Sequence, residues 1–441
     1  MNRVHITTLG CPKNSVDTDK LAELLADNGF VFAESEEAAD ILLINTCGFI
    51  SSAKEESVNE ILRLASLKNN NRRLVVFGCL AKRYMDELIR EIPEIDAIMG
   101  VYEDDRILQY CKSVAGSDIK PSAAPTHFML NTDTEGYPFA YLKISDGCDR
   151  KCTFCAIPSI RGRFRSREPE SVLEDARRYI ENGKKELILV AQDITSYGKG
   201  IKDQSLSSLL RQIASIDADF RIRLLYLYPV NIDDELLDVI AEEEKIYNYF
   251  DIPLQHSEDR LLRLMGRRGS RQEYIKLIRR IRRMIPGAVL RTTFIVGFPS
   301  ETERDFEELA DFVEEVRFDR LGVFKFSREE GTPSYSIKGQ IPESIMERRL
   351  SELMQRQALI SLERNRELVG QRYEALVDEV HDDHIIARLY SHAPEIDGVV
   401  IMDKDSVSQH LKSGEFVDVK IIEGLEYDLR AVVSADNFKV Q

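Results

Sequence analysis

The sequence lacks three features that would each have assigned it to a broad class of protein. It has no apolar stretch close to the roughly 18 residues that a membrane-spanning helix requires. It has no excess of positive charge, because 76 acidic residues outnumber 60 basic ones and the formal net charge is −16. General binding of nucleic acid through phosphate contacts is therefore disfavoured. Its first residues, MNRVHITTLGC, contain no long apolar core and no cleavage site, so we expect a cytoplasmic protein.

Cysteine is scarce, and its number is odd. The chain has seven cysteines, and in a reducing compartment clustered thiols are more often metal ligands or catalytic groups than disulfides. Cys148, Cys152 and Cys155 lie together in the segment SDGCDRKCTFCAIP, residues 145–158. A structural zinc site would need a fourth ligand, from a second CxxC pair or from regularly spaced histidines, and neither is present nearby.

Three further cysteines occupy equivalent places in the first part of the chain. From Arg3 to Ile92, short apolar runs alternate with helical patterns, which predicts a parallel sheet with crossover helices. Cys11, Cys47 and Cys79 follow the runs VHITTLG, ILLINT and RLVVFG. Ligands of open parallel sheets bind beyond the carboxyl ends of the strands. Each of these cysteines also precedes a helical stretch, and the positive N-terminal end of a helix favours a thiolate. We expect the three cysteines to converge, although each could instead be a small buried apolar residue.

The seventh cysteine is expected to belong to the core. In RILQYCKSV, Cys111 shares one helical face with Ile107, Leu108 and Val114. The residues that follow, 116–137, contain turn formers and show no clear period, so we predict a linker there.

Six strand-like runs separated by helical stretches make up the middle of the chain. Six successive βα units predict a barrel or part of one, with function at the carboxyl ends of its strands. The cysteine segment at 145–158 follows the first run directly, and a long polar helix from about Glu343 to Leu368 follows the last. The six runs are AYLKIS, ELILVAQD, RLLYLYP, YFDIPLQ, VLRTTFIVGF and LGVFKFS.

The last segment predicts a small β-barrel, because its short runs mix alternation with apolar stretches and show no helical period. Residues 371–441 contain fifteen acidic and seven basic residues, a net charge of −8. The segment has no basic stripe of the kind that binds phosphates.

Iron-sulfur chemistry would explain a group of three cysteines, because a four-iron cluster held by three thiolates leaves one iron open to a ligand. The CxxxCxxC pattern of residues 148–155, with Phe154 before the last cysteine, resembles the signature of radical S-adenosylmethionine (SAM) enzymes. The resemblance implies that Cys148, Cys152 and Cys155 hold a 4Fe-4S cluster at which SAM binds and is cleaved to a radical. IVGFPSET, residues 295–302, is similar to a SAM-contacting strand of that superfamily, so Phe154 and Gly297 are candidate cofactor-binding residues.

Over essentially the whole chain, this organisation resembles the methylthiotransferases. The resemblance implies a second 4Fe-4S cluster on Cys11, Cys47 and Cys79 that takes part in sulfur transfer, and no catalytic side chain beyond the cluster cysteines. We therefore predict an α/β protein in which an open parallel α/β domain precedes a partial radical SAM barrel with a trailing helix and a small TRAM-like β-barrel. The predicted boundaries are 1–115 for the first domain, 116–137 for the linker, 138–368 for the radical SAM domain and 369–441 for the last barrel.

Two substrates fit a methylthiotransferase of this kind. The start LGCPKNSVD in place of a GCQMN-like one, and the acidic last domain, resemble the branch that modifies the β-carbon of an aspartate in ribosomal protein S-twelve (uS12), free or in the small subunit. Such an enzyme also needs an electron donor and a sulfur source. The basic runs RGRFRSR and GRRGSR, otherwise a solvated face of the barrel, keep tRNA adenosine open as the alternative. A nonenzymatic metal-binding factor in ribosome assembly is a third hypothesis.

Overall fold

The computed structural model describes residues 2–69, 71–115, 136–404 and 410–434. Most of the linker predicted at 116–137 lies outside these residues. Within the described part of the chain, no helix is long and apolar enough to cross a membrane.

The first body is a five-stranded parallel sheet with helices packed against it. The central strand at 41–46 is buried at all six positions, as expected for a parallel strand covered on both faces. Its strands are β1 (Arg3–Thr8), β2 (Val31–Phe32), β3 (Ile41–Thr46), β4 (Arg73–Gly78) and β5 (Ala97–Ile98), and its helices are α1 (Pro12–Asp27), α2 (Ser51–Ser66), α3 (Cys79–Glu91) and α4 (Asp104–Ala115). The strand order is β2-β1-β3-β4-β5.

The second body is an open six-stranded parallel sheet wrapped by helices, and it confirms the predicted partial barrel. Its strands are β6 (Phe139–Lys143), β9 (Glu186–Val190), β10 (Arg221–Leu224), β11 (Ile246–Asp251), β12 (Val289–Val296) and β13 (Arg320–Lys325), which lie side by side in chain order. A separate antiparallel pair, β7 (Ser145–Asp146) with β8 (Arg165–Ser166), closes the base of the cysteine loop.

Amphipathic helices cover this second sheet and bury a continuous apolar core against it. These helices are α6 (Pro169–Glu181), α7 (Leu206–Ala214), α8 (Asp234–Glu242), α9 (Asp259–Leu264), α10 (Arg271–Met284), α11 (Glu303–Val316) and the long α12 (Glu343–Glu367). The short helix α5 (Ile157–Arg161) packs against Cys79 of the first body instead. Short 3-10 turns occur at Glu36–Ala38, Ile194–Ser196, Pro229–Asn231 and Pro333–Ser336.

The third body is the small closed β-barrel that the last segment predicts. Its strands are β14 (Arg372–Val380), β15 (His384–Arg388), β16 (Val400–Asp403), β17 (Phe416–Gly424) and β18 (Leu429–Val433), joined in the order β14-β15-β16-β18-β17. All neighbours are antiparallel except β16 and β18.

One buried apolar cluster includes residues from all three bodies. Val16 of α1, Phe139 and Tyr141 of β6, and Ala393 of the last barrel belong to a single buried cluster. Because α1 begins just after Cys11 and β6 ends just before the cysteine loop, this packing brings the two sets of cysteines to the same region of the molecule.

Candidate functional site

Cys11, Cys47 and Cys79 lie at the carboxyl edge of the first sheet, as the sequence predicts. Cys11 caps α1, Cys47 follows β3, and Cys79 is the first residue of α3. The loops are tightly packed: Gly10 has a φ of +102°, and a Cβ atom there would lie 2.6 Å from Cβ of Cys47. Only glycine allows the Cys11 loop to approach Cys47 so closely in this conformation.

One polar side chain connects all three of these loops. The amide nitrogen of Asn14 donates to the carbonyl oxygens of Leu9 at 2.8 Å and Thr46 at 3.4 Å. Its amide oxygen accepts from the thiol of Cys79 at 3.7 Å. Asn14 therefore touches the residues that lead to Cys11 and Cys47, as well as Cys79 itself.

Burial disfavours the thiolate form of Cys47 and Cys79. It raises the pKa of Cys47 to about 11 and that of Cys79 to about 12. The guanidinium group of Arg161 acts in the opposite direction on both pKa values. Bound thiolates at this edge of the sheet would therefore need nearby positive charge, which a cluster of iron ions would supply in addition to Arg161.

Cys148, Cys152 and Cys155 occupy the loop between β7 and β8, at the carboxyl end of the first strand of the second sheet. Gly147 begins this loop with a φ of +71°. The backbone nitrogen of Cys155 donates to the carbonyl oxygen of Cys152 at 3.2 Å, which folds the CxxC part into a turn. Burial raises the pKa of Cys155 to about 12 and also raises the pKa of Cys148.

A cavity of about 520 Å³ opens beside Cys148. Arg150, on its wall, forms an ion pair of 2.7 Å with the buried Asp193 and stacks on the ring of Tyr228 at 3.8 Å. Two other cations of the wall, Lys151 and Arg268, form no ion pair with an acidic residue in the described part of the chain. The cavity thus presents positive charge that its own acidic residues do not neutralise.

Phe154 and Gly297 lie against one apolar cluster of the second body. Phe154 packs on a cluster that contains Phe298 and Met346. Gly297 has a φ of +78°, its backbone nitrogen donates to the carboxylate of Glu301, and a Cβ atom there would lie 2.1 Å from Cγ of Met346. Packing alone accounts for a glycine at this position, so its contact with SAM stays a prediction.

The donor chemistry of both cysteine sets suits iron-sulfur ligation, because thiolates are the ligands that such clusters use. Among the described residues, no group of three His, Cys, Asp or Glu side chains is arranged around a single metal ion. A 4Fe-4S cluster spreads its thiolates over separate irons, so it does not require that arrangement.

Sequence reasoning missed the buried charges between the two cysteine sets. Arg161 and Lys143 lie there with Asp17 and Asp146, although RGRFRSR suggested a solvated face. Arg161 has only 3% of its surface exposed, whereas the side chain of Arg163 is 96% exposed. The available signal was position, because Arg161 follows the last cysteine of the loop by six residues.

Comparisons with known proteins agree with this architecture. Family models match residues 142–313 (radical SAM superfamily), 3–100 (uncharacterized protein family UPF0004) and 369–433 (TRAM domain). Among solved structures, the radical SAM methyltransferase TsrM from Kitasatospora setae aligns with a TM-score of 0.56 at 15% identity, over 84% of this chain and 79% of that one. The cobalamin-dependent radical SAM enzyme OxsB aligns with a TM-score of 0.53 at 13% identity, over 82% and 58%. At these identities the likeness concerns the fold alone.

Relatives of much higher identity cover almost the whole chain. The ribosomal protein uS12 methylthiotransferase RimO of Thermodesulfovibrio yellowstonii is 54% identical, over 98% of this chain and 100% of that protein. The protein of the same name from Thermotoga maritima is 43% identical, over 97% and 99%. With its two sets of three cysteines and its closed terminal barrel, the chain belongs to the ribosomal protein uS12 methylthiotransferase RimO family, within the radical SAM superfamily.

Proposed function

We propose that this protein is a radical SAM methylthiotransferase that attaches a methylthio group to the β-carbon of an aspartate in ribosomal protein uS12. The observation that carries the proposal is the placement of two three-cysteine sets at the carboxyl edges of two neighbouring parallel sheets. Relatives that match along almost their full length are named ribosomal protein uS12 methylthiotransferase RimO, and that name supports uS12 as the substrate. Because that substrate is made in the cytoplasm, we expect the enzyme to act there.

Each set of cysteines has a separate task in this proposal. Cys148, Cys152 and Cys155 would hold the 4Fe-4S cluster at which SAM binds, with Phe154 and Gly297 beside the cofactor. Cys11, Cys47 and Cys79 would hold a second 4Fe-4S cluster. Together the bound groups supply radical formation and sulfur transfer, and the enzyme would take electrons from a separate donor protein or reductant.

The chain itself would bind and orient the substrate. The cavity beside Cys148 provides Lys151 and Arg268, two cations suited to an acidic side chain. Hydrogen abstraction by a radical needs no protein acid or base, so we assign no further catalytic side chain. The acidic last barrel, which we place at 369–441, would attract a basic ribosomal protein and repel tRNA phosphates.

The division of the chain follows from these tasks. We propose an N-terminal cluster domain at 1–115, a linker at 116–137 and a radical SAM domain with its trailing helix at 138–368.

The test is a reconstituted reaction under anaerobic conditions. The purified enzyme is incubated with SAM, a reductant, sulfide and either uS12 or tRNA, and both products are analysed by mass spectrometry. We expect modified uS12 and unmodified tRNA. A variant with Cys148→Ala, Cys152→Ala and Cys155→Ala should cleave no SAM, whereas modification of tRNA in preference to uS12 would overturn the proposal.

A further inference from the structure

Arg161 is a buried cation at the boundary between the first two bodies. It ends the short helix α5, which begins two residues after Cys155, and only 3% of its surface is exposed. Its own backbone oxygen accepts a hydrogen bond from Tyr102 of the first body at 3.2 Å. A buried guanidinium is costly unless it is fully paired, so its partners indicate what it does.

On one side, Arg161 binds the element that begins at the first cluster cysteine. One terminal nitrogen, Nη2, lies 2.7 Å from the amide oxygen of Asn14 and 2.8 Å from the carboxylate of Asp17. Both partners belong to α1, whose first residue follows Cys11. Asn14 is also the side chain that connects the loops of Cys11, Cys47 and Cys79.

On the other side, Arg161 binds the base of the loop that carries the second set. Its other terminal nitrogen, Nη1, lies 3.2 Å from a carboxylate oxygen of Asp146. Asp146 ends β7, two residues before Cys148. The ammonium group of Lys143 completes the arrangement, because it pairs with both Asp17 and Asp146.

The helix that carries Arg161 also makes apolar contact with the first set. Ala156 and Ile160 of this segment form a small buried cluster with Cys79. Packing of this kind holds the two bodies together but has little directional preference. The planar guanidinium has fixed hydrogen-bond directions, so its bonds to both bodies depend on the angle between them.

We propose that Arg161 is a positioning residue: through Asn14 on one side and Asp146 on the other, it fixes the Cys11, Cys47 and Cys79 set relative to the Cys148, Cys152 and Cys155 set. This proposal rests on the function proposed above. As a consequence, each set of cysteines still binds its own cluster when Arg161 is lost. SAM is then still cleaved, but fewer cleavage events lead to transfer of a methylthio group.

The same motif provides a matched control. Arg163 lies two residues further along RGRFRSR, and its side chain is 96% exposed with one distant ion pair of 3.9 Å to Asp149. Arg161→Gln and Arg163→Gln make the same chemical change at a buried, paired position and at an exposed one.

The experiment measures two products of each reconstituted variant, 5'-deoxyadenosine from SAM and methylthiolated uS12. We expect Arg161→Gln to cleave SAM at a rate within a few-fold of the parent, while the methylthiolated product per SAM cleaved falls about 10- to 100-fold, the loss typical of a misplacement near 1 Å. Arg161→Lys, which keeps the charge but not the planar contacts, should recover only part of this ratio. Arg163→Gln should match the parent in both products.

A spectroscopic measurement separates positioning from general loss of structure. In the background of Cys148→Ala, Cys152→Ala and Cys155→Ala, only the first set remains, and we expect Arg161→Gln to change the electron paramagnetic resonance spectrum of its reduced cluster. An unchanged product ratio in Arg161→Gln would overturn the proposal, whether both products stay at the level of the parent or fall together. An unchanged spectrum of the first cluster would also overturn it. If the parent modifies tRNA instead of uS12, the proposed function fails, but the ratio measured on tRNA still decides the role of Arg161.

Discussion

Gly297 has a backbone conformation that residues with a side chain rarely adopt. Its φ of +78° is shared by many turn glycines, but here a Cβ atom would also meet Met346 at 2.1 Å. Gly183, after α6, has a φ of +85°, and a Cβ atom there would have no neighbour within 4 Å. A comparison of alanine substitutions at the two glycines therefore distinguishes the free-energy cost of the positive φ from the cost of a steric clash with Met346.

We expect Gly183→Ala to lower the free energy of unfolding by about 1 kcal/mol, from the left-handed conformation alone. Gly297→Ala should cost about 1 to 3 kcal/mol more, because the added methyl group displaces Met346 from a packed cluster. Denaturant titration of both variants measures the difference. Equal losses would show that Met346 moves away freely and that packing does not require glycine at position 297.

Seven cysteines allow a direct test of which ones bind iron. Cys111 is fully buried in the core of the first body, as its helical spacing predicts. We expect about eight irons in the parent, about four in Cys11→Ala and about four in Cys148→Ala, as two 4Fe-4S clusters require. SAM cleavage should persist in Cys11→Ala and disappear in Cys148→Ala.

Cys111→Ala is the control for that series, since it removes a thiol without removing a proposed ligand. It should retain the full iron content and both activities. Iron analysis together with the ultraviolet-visible spectrum measures the outcome. Full iron content in Cys11→Ala would contradict the assignment of the second cluster.

At the scale of elements, the loop after β13 joins the second body to α2 and α3 of the first. Glu329 is buried in this loop and accepts hydrogen bonds from Lys54 of α2 at 2.9 Å and from Arg83 of α3 at 2.7 Å. Burial acts to raise the pKa of Glu329, but the hydrogen bonds from Lys54, Ser327 and Arg83 outweigh it and lower the pKa. The ionised carboxylate therefore stabilises the contact.

We expect Glu329→Gln to lower the stability by about 1 to 3 kcal/mol at neutral pH, the range for hydrogen bonds to a charged group. A carboxyl group with a lowered folded-state pKa contributes its stability above the unfolded pKa and loses it as the pH falls through the folded value. The difference in the free energy of unfolding between parent and variant should therefore disappear as the pH falls below about 4. The neighbouring exposed Glu330→Gln should show little effect, and a gap that stays constant in acid would contradict this account.

The elements predicted from sequence are those with a strong local pattern. The six strands of the second sheet are short, mostly apolar runs, and the amphipathic helices between them repeat apolar residues at a period of 3.6. β2, β5, β7 and β8 have two residues each, which is too short to show a period. The short helix α5 depends on contacts with Cys79 and Tyr102, which no local pattern encodes.

The site was partly predictable for a related reason. Equivalent positions after β1, β3 and β4 predict that Cys11, Cys47 and Cys79 meet at one edge, because strand order and direction follow from the βα pattern. The role of Arg161 depends on how two separate bodies dock. Its partners on the two sides, Asp146 and Asn14, lie 15 and 147 residues away in sequence.

At the scale of the whole molecule, buried charges join the last barrel to the second sheet. Glu186 of β9 pairs with Arg223 of β10 at 2.5 Å and with Arg388 of β15 at 2.6 Å. Arg388 also pairs with Asp378 of β14 at 2.5 Å. These four side chains are almost inaccessible to solvent, so water cannot take the place of a lost partner in this network.

We expect Arg388→Met to lower the free energy of unfolding by about 3 to 5 kcal/mol, because it leaves the buried Asp378 without its cation and leaves Glu186 with Arg223 as its partner. Arg430→Met, on the same barrel with its side chain 58% exposed, should cost less than about 1 kcal/mol. Denaturant unfolding gives the difference, and limited proteolysis should release the barrel first in Arg388→Met. Similar stability of the two variants would show that this network does not hold the barrel in place.

The most direct test of the central claim is the mass of uS12 from cells with and without this gene, measured beside the modified nucleosides of their tRNA. We expect uS12 from cells without the gene to be lighter by about 46 Da, the mass added when a methylthio group replaces hydrogen in cofactor-borne radical chemistry. An unchanged mass of uS12, together with loss of a methylthiolated adenosine from tRNA, would contradict it.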